Sequence, residues 1–161
     1  MSLEELSAEL GRRLKASGDL LVSAESCTGG WAAQAVTATA GSSAWFERGF
    51  ITYSDDSKHQ MLGVRRETYA RHGAVSEATA REMALGALKR SRGTLSLAIT
   101  GIAGPTGGTA AKPVGTVCFA WAGPKGHVHS ETRNFPGDRE SVRKQSVIRA
   151  LEGVLEFLDG R

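Results

Sequence analysis

Two side chains, Ser43 and Lys58, have the types needed for nucleophilic catalysis without a histidine. A partly desolvated lysine has a lowered pKa, so it can act as a base near neutral pH and activate a serine hydroxyl. A predicted strand, Arg48–Ser54, lies between the two residues and contains Tyr53, so folding can bring them together. Spacing alone is not specific, because serines and lysines are common in the chain, and a chance pair is the alternative.

Other catalytic motifs are missing from the sequence. It contains no GxSxG serine-hydrolase motif and no HExxH zinc motif. His127 and His129 share one face of a predicted strand, a spacing that suits a metal, but no third ligand is evident. An exposed strand face is the simpler interpretation, so we expect no metal and no cofactor.

Glycine is abundant, with 20 residues among 161, and it clusters in loops. Three polar or glycine-rich segments follow predicted strands, and the carboxyl ends of strands are the usual ligand sites of α/β sheets. The loop before the predicted helix at Trp31 favours a phosphate at the helix N-terminus, although a tight turn is the alternative. We expect Gly29, Gly30 and Gly101 to contact substrate. The three segments are Glu25–Gly30, Tyr53–Lys58 and Thr100–Gly108.

The glycine loops do not match known nucleotide-binding motifs. The first lacks the Gly-Lys-Ser/Thr of a phosphate-binding P-loop, and the second reads GxxGxxGG around Pro105 rather than GxGxxG. Dinucleotide binding is therefore weakly supported.

Hydrophobic periodicity interleaves helices with strands. The predicted helices are Ser2–Ser17, Trp31–Ala40, Asp55–Leu62, Glu77–Ser91 and one that follows Asp138. The predicted strands are Leu20–Ala24, Arg48–Ser54, Thr94–Thr100, Val114–Ala122 and His127–Phe135. The last two strands are joined by a hairpin-length connection, so they should be antiparallel. The pattern predicts an α/β fold, a three-layer α/β/α sandwich with a mixed, mostly parallel sheet.

Length and charge argue against several classes of protein. A chain of 161 residues fits one domain, residues 1–161, and no apolar run approaches the length of a membrane span. The net charge of +3 is scattered, without a basic stripe, so we expect neither a nucleic-acid nor a membrane partner. Cys27 and Cys118 form no disulfide framework and the N-terminus is acidic, which favours a cytoplasmic location.

Several segments together resemble the C-terminal domain of the competence/damage-inducible CinA family. The resemblance covers nearly the whole chain, with the motifs in one order. It implies hydrolysis of the carboxamide of nicotinamide mononucleotide to nicotinic acid mononucleotide and ammonia, without a metal. The segments are Ala24–Gly30, Gly41–Phe50, Thr52–Ser54 with Lys58, His72–Ser76, Thr100–Pro105 with Gly107 and Gly108, Lys112–Thr116, and Gly137–Arg139.

The same resemblance assigns roles to residues. It implies that Ser43 is the nucleophile, Lys58 its base and Tyr53 a supporting hydroxyl, and it places Thr100 at the site. An arginine near the last helix would bind the 5′-phosphate. That arginine matches Arg139, with Arg143 as the alternative.

Two further expectations follow. The family pattern has asparagine where this chain has Asp55, and a carboxylate close to Lys58 would raise the lysine pKa. Trp45 and Phe46 suggest an apolar surface and hence a homo-oligomer. The alternative to a small-molecule nucleotide hydrolase is a catalytically silent nucleotide-binding or regulatory module.

Overall fold

A five-stranded sheet lies at the centre of the molecule, in the order β2-β1-β3-β4-β5. The computed structural model of the chain describes residues 1–160. The strands are β1 Leu21–Glu25, β2 Phe46–Ile51, β3 Leu95–Gly101, β4 Thr116–Ala122 and β5 Val128–Asn134. The helices are α1 Leu3–Ser17, α2 Trp31–Thr37, α3 Asp55–Leu62, α4 Arg66–His72, α5 Glu77–Lys89 and α6 Arg139–Asp159. Two short 3₁₀ helices cover Ser42–Ala44 and Pro124–Gly126.

The sheet is mixed, as predicted. Strand β1 pairs in parallel with both β2 and β3, whereas β4 is antiparallel to β3 and to β5. Four strands therefore run in one direction and only β4 opposes them. All five residues of β1 are buried, because helices cover both faces of the sheet at its centre.

Two hydrophobic clusters, one on each face of the sheet, confirm the three-layer architecture. Alternate residues of a strand point to opposite faces, so Leu21 joins the cluster beneath α1, α2 and α6, while Val22 joins the cluster beneath α3 and α5. In the first cluster Leu10 and Leu14 of α1 are fully buried.

Side-chain caps fix the helix starts. Ser76 Oγ accepts from Thr79 N at the start of α5, and the Asp138 carboxylate accepts from Ser141 N at the start of α6. Ser54 and Ser57 form a reciprocal capping box at the start of α3. Strand β2 consequently ends at Ile51, three residues before the predicted end, since Ser54 already belongs to the helix cap.

Trp45 corrects one expectation. Its indole is only 7% exposed and packs in the first cluster, beneath α1, α2 and α6, where Gly11 of α1 leaves room for the ring. Phe46 is partly buried against the same cluster. The apolar surface inferred from these residues is therefore core, and the homo-oligomer stays an untested prediction.

Among residues 1–160, no helix combines the length and apolar character needed to cross a membrane.

Candidate active site

A cavity of about 260 Å³ opens at the carboxyl edge of β1, β2 and β3. All three predicted loops contribute to it, because the parallel strands deliver their ends to one edge of the sheet. Its walls are Ser26, Cys27, Tyr53, Asp55, Lys58, Ala74, Val75, Thr100–Gly104, Thr106, Gly107 and Arg139.

Lys58 is the buried amine of the cavity, with a side chain only 2% exposed. Helix α3 starts directly after β2, and its capping box fixes the first turn, so the fourth residue of the helix turns back toward the sheet. Lys58 Nζ lies 3.0 Å from Ser26 Oγ and 3.3 Å from the carbonyl oxygen of Tyr53. The structure therefore pairs Lys58 with Ser26, the residue directly after β1.

Burial lowers the pKa of Lys58, because desolvation disfavours the charged ammonium. The carboxylate of Asp55 opposes this effect and raises the pKa, but burial is the larger influence and the net shift is downward. The expected effect of Asp55 on the pKa of Lys58 is therefore present but outweighed by burial.

Ser26 is the first residue after β1, and its side chain is 7% exposed. Its backbone N–H donates to the carbonyl of Ile99 at 3.0 Å, which holds the residue in line with the central sheet. A hydroxyl beside a lysine whose pKa is lowered has the arrangement of a Ser–Lys nucleophile and base. Ser26 Oγ lies closer to Lys58 Nζ than the Tyr53 carbonyl does, so Ser26 replaces Ser43 as the candidate nucleophile.

Ser43 does not line this cavity, which corrects the expectation that folding brings it next to Lys58 within one chain. It sits in the 3₁₀ helix Ser42–Ala44, which precedes β2, whereas Lys58 follows the other end of that strand. Six strand residues, roughly 20 Å at 3.3 Å each, separate the two edges. The sequence signal that points to Ser26 instead is a serine placed directly at the end of a fully buried strand.

The predicted phosphate position at the start of α2 is filled by the chain itself. Glu25, which is fully buried, accepts from Ala32 N at 2.8 Å and Ala33 N at 3.1 Å. Gly29 and Gly30 have φ values of 60° and 104°, a turn that glycine permits and that brings these amides to the carboxylate. Neither glycine lines the cavity. Their expected substrate contact is corrected: the loop is a turn closed by Glu25.

Thr100, Gly101, Tyr53 and Arg139 do border the cavity, as expected. Thr100 Oγ1 donates to the Ala74 carbonyl at 2.9 Å. Arg139 Nη1 donates to Gly104 O at 2.7 Å, and Nη2 donates to the Tyr53 hydroxyl at 2.9 Å. Tyr53 is 60% exposed, so its ring forms part of the rim. Its hydroxyl bonds Arg139, while only its backbone carbonyl meets Lys58.

The structure distinguishes between the two candidate arginines, Arg139 and Arg143. Arg139 lines the cavity, whereas Arg143 donates to the carbonyls of Cys27 and Thr28. Of the two arginines, Arg139 is therefore the one whose side chain borders the cavity.

Cys27 also borders the cavity, but its chemistry is different. Burial raises the pKa of the thiol to about 11, although the positive charge of Arg143 opposes the shift. A thiol that stays protonated is a weak nucleophile, so Cys27 contributes packing.

The two histidines of β5 pack on aromatic rings. His127 stacks on Phe157 at 4.8 Å and His129 stacks on Trp121 at 5.9 Å between ring centroids. Within residues 1–160, no group of three or more His, Cys, Asp or Glu side chains is arranged to hold a metal ion.

Comparison with known proteins gives one consistent relationship. The sequence profile of the CinA C-terminal domain matches residues 3–158. Nicotinamide-nucleotide amidohydrolase PncC of Escherichia coli is 55% identical over 150 residues, covering 93% of this chain and 91% of that protein. The Pseudomonas putida protein of the same name is 48% identical over 152 residues, 94% of each chain. A CinA superfamily protein from Klebsiella pneumoniae has a crystal structure that matches with a TM-score of 0.96, over 100% of both chains at 41% identity.

Proposed function

The chain belongs to the CinA C-terminal domain family, and from that membership we propose that it hydrolyses the carboxamide of nicotinamide mononucleotide. Full-length relatives carry the name nicotinamide-nucleotide amidohydrolase, which supports this substrate class. The observation that carries the mechanism is the 3.0 Å contact between Lys58 Nζ and Ser26 Oγ at the wall of a cavity.

Acylation begins with neutral Lys58, which takes the proton of Ser26 Oγ as this oxygen attacks the carboxamide carbon. The lowered pKa of Lys58 increases the fraction of the neutral amine that can accept this proton. The tetrahedral intermediate collapses when its C–N bond breaks, and Lys58 returns the proton to the departing nitrogen, which leaves as ammonia. The product of this half-reaction is a nicotinate ester on Ser26.

Deacylation reverses the roles with water as nucleophile. Lys58 takes a proton from water, the hydroxyl oxygen attacks the ester carbon, and Ser26 Oγ leaves with the proton that Lys58 returns. Nicotinic acid mononucleotide is released and the enzyme is restored. No metal or cofactor enters this scheme.

Lys58 fits the general-acid role better than Tyr53 does. The Tyr53 hydroxyl bonds Arg139 at the rim of the cavity, while Lys58 already bonds Ser26. We assign Tyr53 to holding the arginine and shaping the entrance.

Backbone amides supply the oxyanion site in this proposal. Among residues 1–160, the N–H groups of Ala103 and Gly104 donate no hydrogen bond within the chain, and the N–H of Cys27 contacts only its own thiol; all three residues line the cavity. Preorganised amides of this kind stabilise the charge that develops on the carbonyl oxygen. Thr100 and Gly101 form the adjoining wall.

The 5′-phosphate is assigned to Arg139. Two of the five N–H donors of its guanidinium bond Gly104 and Tyr53, which orients the group and leaves donors for phosphate oxygens. The substrate then spans the cavity, with its carboxamide at Ser26 and its phosphate at the exposed rim.

The proposal includes a cytoplasmic location. Cys27 and Cys118 are both free thiols, which suits a reducing compartment.

A catalytically silent binding module is the less favoured alternative. Burying a lysine amine costs stability unless its charge is compensated or its pKa falls, and no carboxylate bonds Lys58 Nζ among the described residues. A module that only binds nucleotide gains nothing from this cost.

Ammonia release from nicotinamide mononucleotide tests the function. The purified chain should release one ammonia for each nicotinic acid mononucleotide formed, measured by a coupled ammonia assay and by chromatography of the nucleotides. Turnover no faster than the enzyme-free rate would contradict the proposal and favour the silent module.

Replacing Asp55 by asparagine should shift the pH dependence of the reaction. The Asp55 carboxylate raises the pKa of Lys58, so its removal lowers that pKa further. Because the neutral amine is the active form, activity rises with pH through the lysine pKa, and the rising limb of kcat/KM should move to lower pH. Profiles of kcat/KM against pH for wild type and Asp55→Asn measure the shift.

Asp56→Asn is the matched control. Asp56 is the next residue, but its carboxylate is 74% exposed and pairs with Arg66 outside the cavity. Its profile should superimpose on that of the wild type. A rising limb that moves to higher pH in Asp55→Asn would contradict the role of Lys58 as base.

A further inference from the structure

Arg139 and Arg143 lie one turn apart on α6 and bond different loops of the cavity. Positions four residues apart share one helix face, so both guanidinium groups reach the same edge of the sheet. Arg139 bonds the loop after β3 through Gly104 O. Arg143 bonds the loop after β1, with Nε 3.0 Å from Cys27 O and Nη2 3.2 Å from Thr28 O.

The hydrogen bonds of Arg143 hold its guanidinium against the loop after β1. Two of its nitrogens bond backbone carbonyls, its side chain is half-buried, and its guanidinium carbon lies 5.7 Å from the centre of the Trp31 ring. It is not among the residues that line the cavity. This geometry does not present the guanidinium to a substrate phosphate.

Glu25 holds the same loop from its other end. The carboxylate accepts from Thr28 Oγ1 at 2.6 Å and from the first amides of α2. Ser26 and Cys27 are thus fixed between a buried carboxylate and a guanidinium.

We propose that Arg143 is a positioning residue that fixes the Ser26–Thr28 backbone, and with it the nucleophile and the Cys27 amide. This inference rests on the proposed function. The attacking oxygen and the oxyanion donor belong to adjacent residues, so a shift of this loop displaces both together. A displacement of about 1 Å at reacting atoms can cost about 100-fold in rate.

Arg143→Met tests the inference, because it keeps an unbranched apolar stem against Trp31 and removes the donors. We expect kcat for nicotinamide mononucleotide to fall about 10- to 100-fold. Substrate affinity is measured separately by calorimetry in a Ser26→Ala background, where no turnover occurs. Adding Arg143→Met there should change Kd less than about twofold, whereas the matched Arg139→Met should raise Kd about tenfold or more through the loss of a charge-assisted phosphate contact.

Other outcomes would overturn the inference. A Kd raised tenfold by Arg143→Met would make Arg143 a phosphate ligand, and an unchanged kcat would show that the loop does not need it. If the Met variant does not fold, as judged by circular dichroism, Arg143→Lys carries the same test, since one amine can bond one of the two carbonyls; kcat should fall at unchanged Kd. Absence of wild-type turnover contradicts the proposed function itself, whereas normal turnover with an unimpaired Arg143 variant contradicts only this inference.

Discussion

Ser26→Ala should reduce ammonia release from nicotinamide mononucleotide by about 10³-fold or more. The substitution removes the oxygen that forms the acyl-enzyme, and loss of a nucleophile leaves only the contributions of binding and of the oxyanion site. The variant should fold normally, because Ser26 Oγ makes only a 3.0 Å contact with Lys58 and a 3.4 Å bond to Tyr53 O. Steady-state assays with wild type and variant measure the ratio, and a thermal melt verifies folding.

Ser43→Ala is the matched control for this result. Ser43 lies at the opposite edge of the sheet from Lys58, so the control variant should retain the wild-type rate within about twofold. The reverse pattern, an active Ser26→Ala with an inactive Ser43→Ala, would contradict the assignment. It would require Ser43 of another subunit to approach Lys58.

Lys58→Met should reduce the rate by a similar factor, about 10³-fold or more, because the serine depends on the lysine for activation. Residues that act as one unit are non-additive, so Ser26→Ala/Lys58→Met should be no slower than the slower single variant. Rates of the two single variants and the double variant, each measured at saturating substrate, complete this cycle. A double variant slower by the product of the two single effects would contradict a joint function.

The free energy of unfolding of Lys58→Met shows whether its lost activity reflects a catalytic defect or misfolding. Methionine preserves the length of the stem and removes the cost of burying an amine, so its free energy of unfolding should equal or exceed that of the wild type. Urea unfolding measures this difference. A strongly destabilised Lys58→Met would instead indicate a structural role for the ammonium, with the lysine charged in the folded protein.

The elements that the sequence predicted best are those with strong local signals. Helix α3 was predicted at its observed limits, Asp55–Leu62, because Ser54 and the glycine that follows mark its ends. Asp138 likewise marks the start of α6. The sequence does not predict α4, Arg66–His72, since a helix of seven residues has little periodicity of its own and depends on packing against α5.

The site was predicted in part. Lys58, Tyr53, Thr100, Gly101 and Arg139 all border the cavity, because each lies at or after the end of a strand or starts the last helix. The error at Ser43 arose from treating proximity along the chain as proximity in space. A strand between two residues keeps them at opposite edges of the sheet, whereas parallel pairing of β1 with β2 brings Ser26 to Lys58 across 32 positions of sequence.

By itself, the sequence indicated the family through several motifs in one order. It also determined the layered α/β architecture and the edge of the sheet where the cavity lies, because periodicity, caps and glycine loops are local properties of the chain. Tertiary structure alone decided which serine meets the lysine, which arginine faces the cavity, and that Glu25 rather than a ligand occupies the start of α2. These outcomes depend on strand order and on the burial of charge, and both arise from contacts between residues distant in sequence.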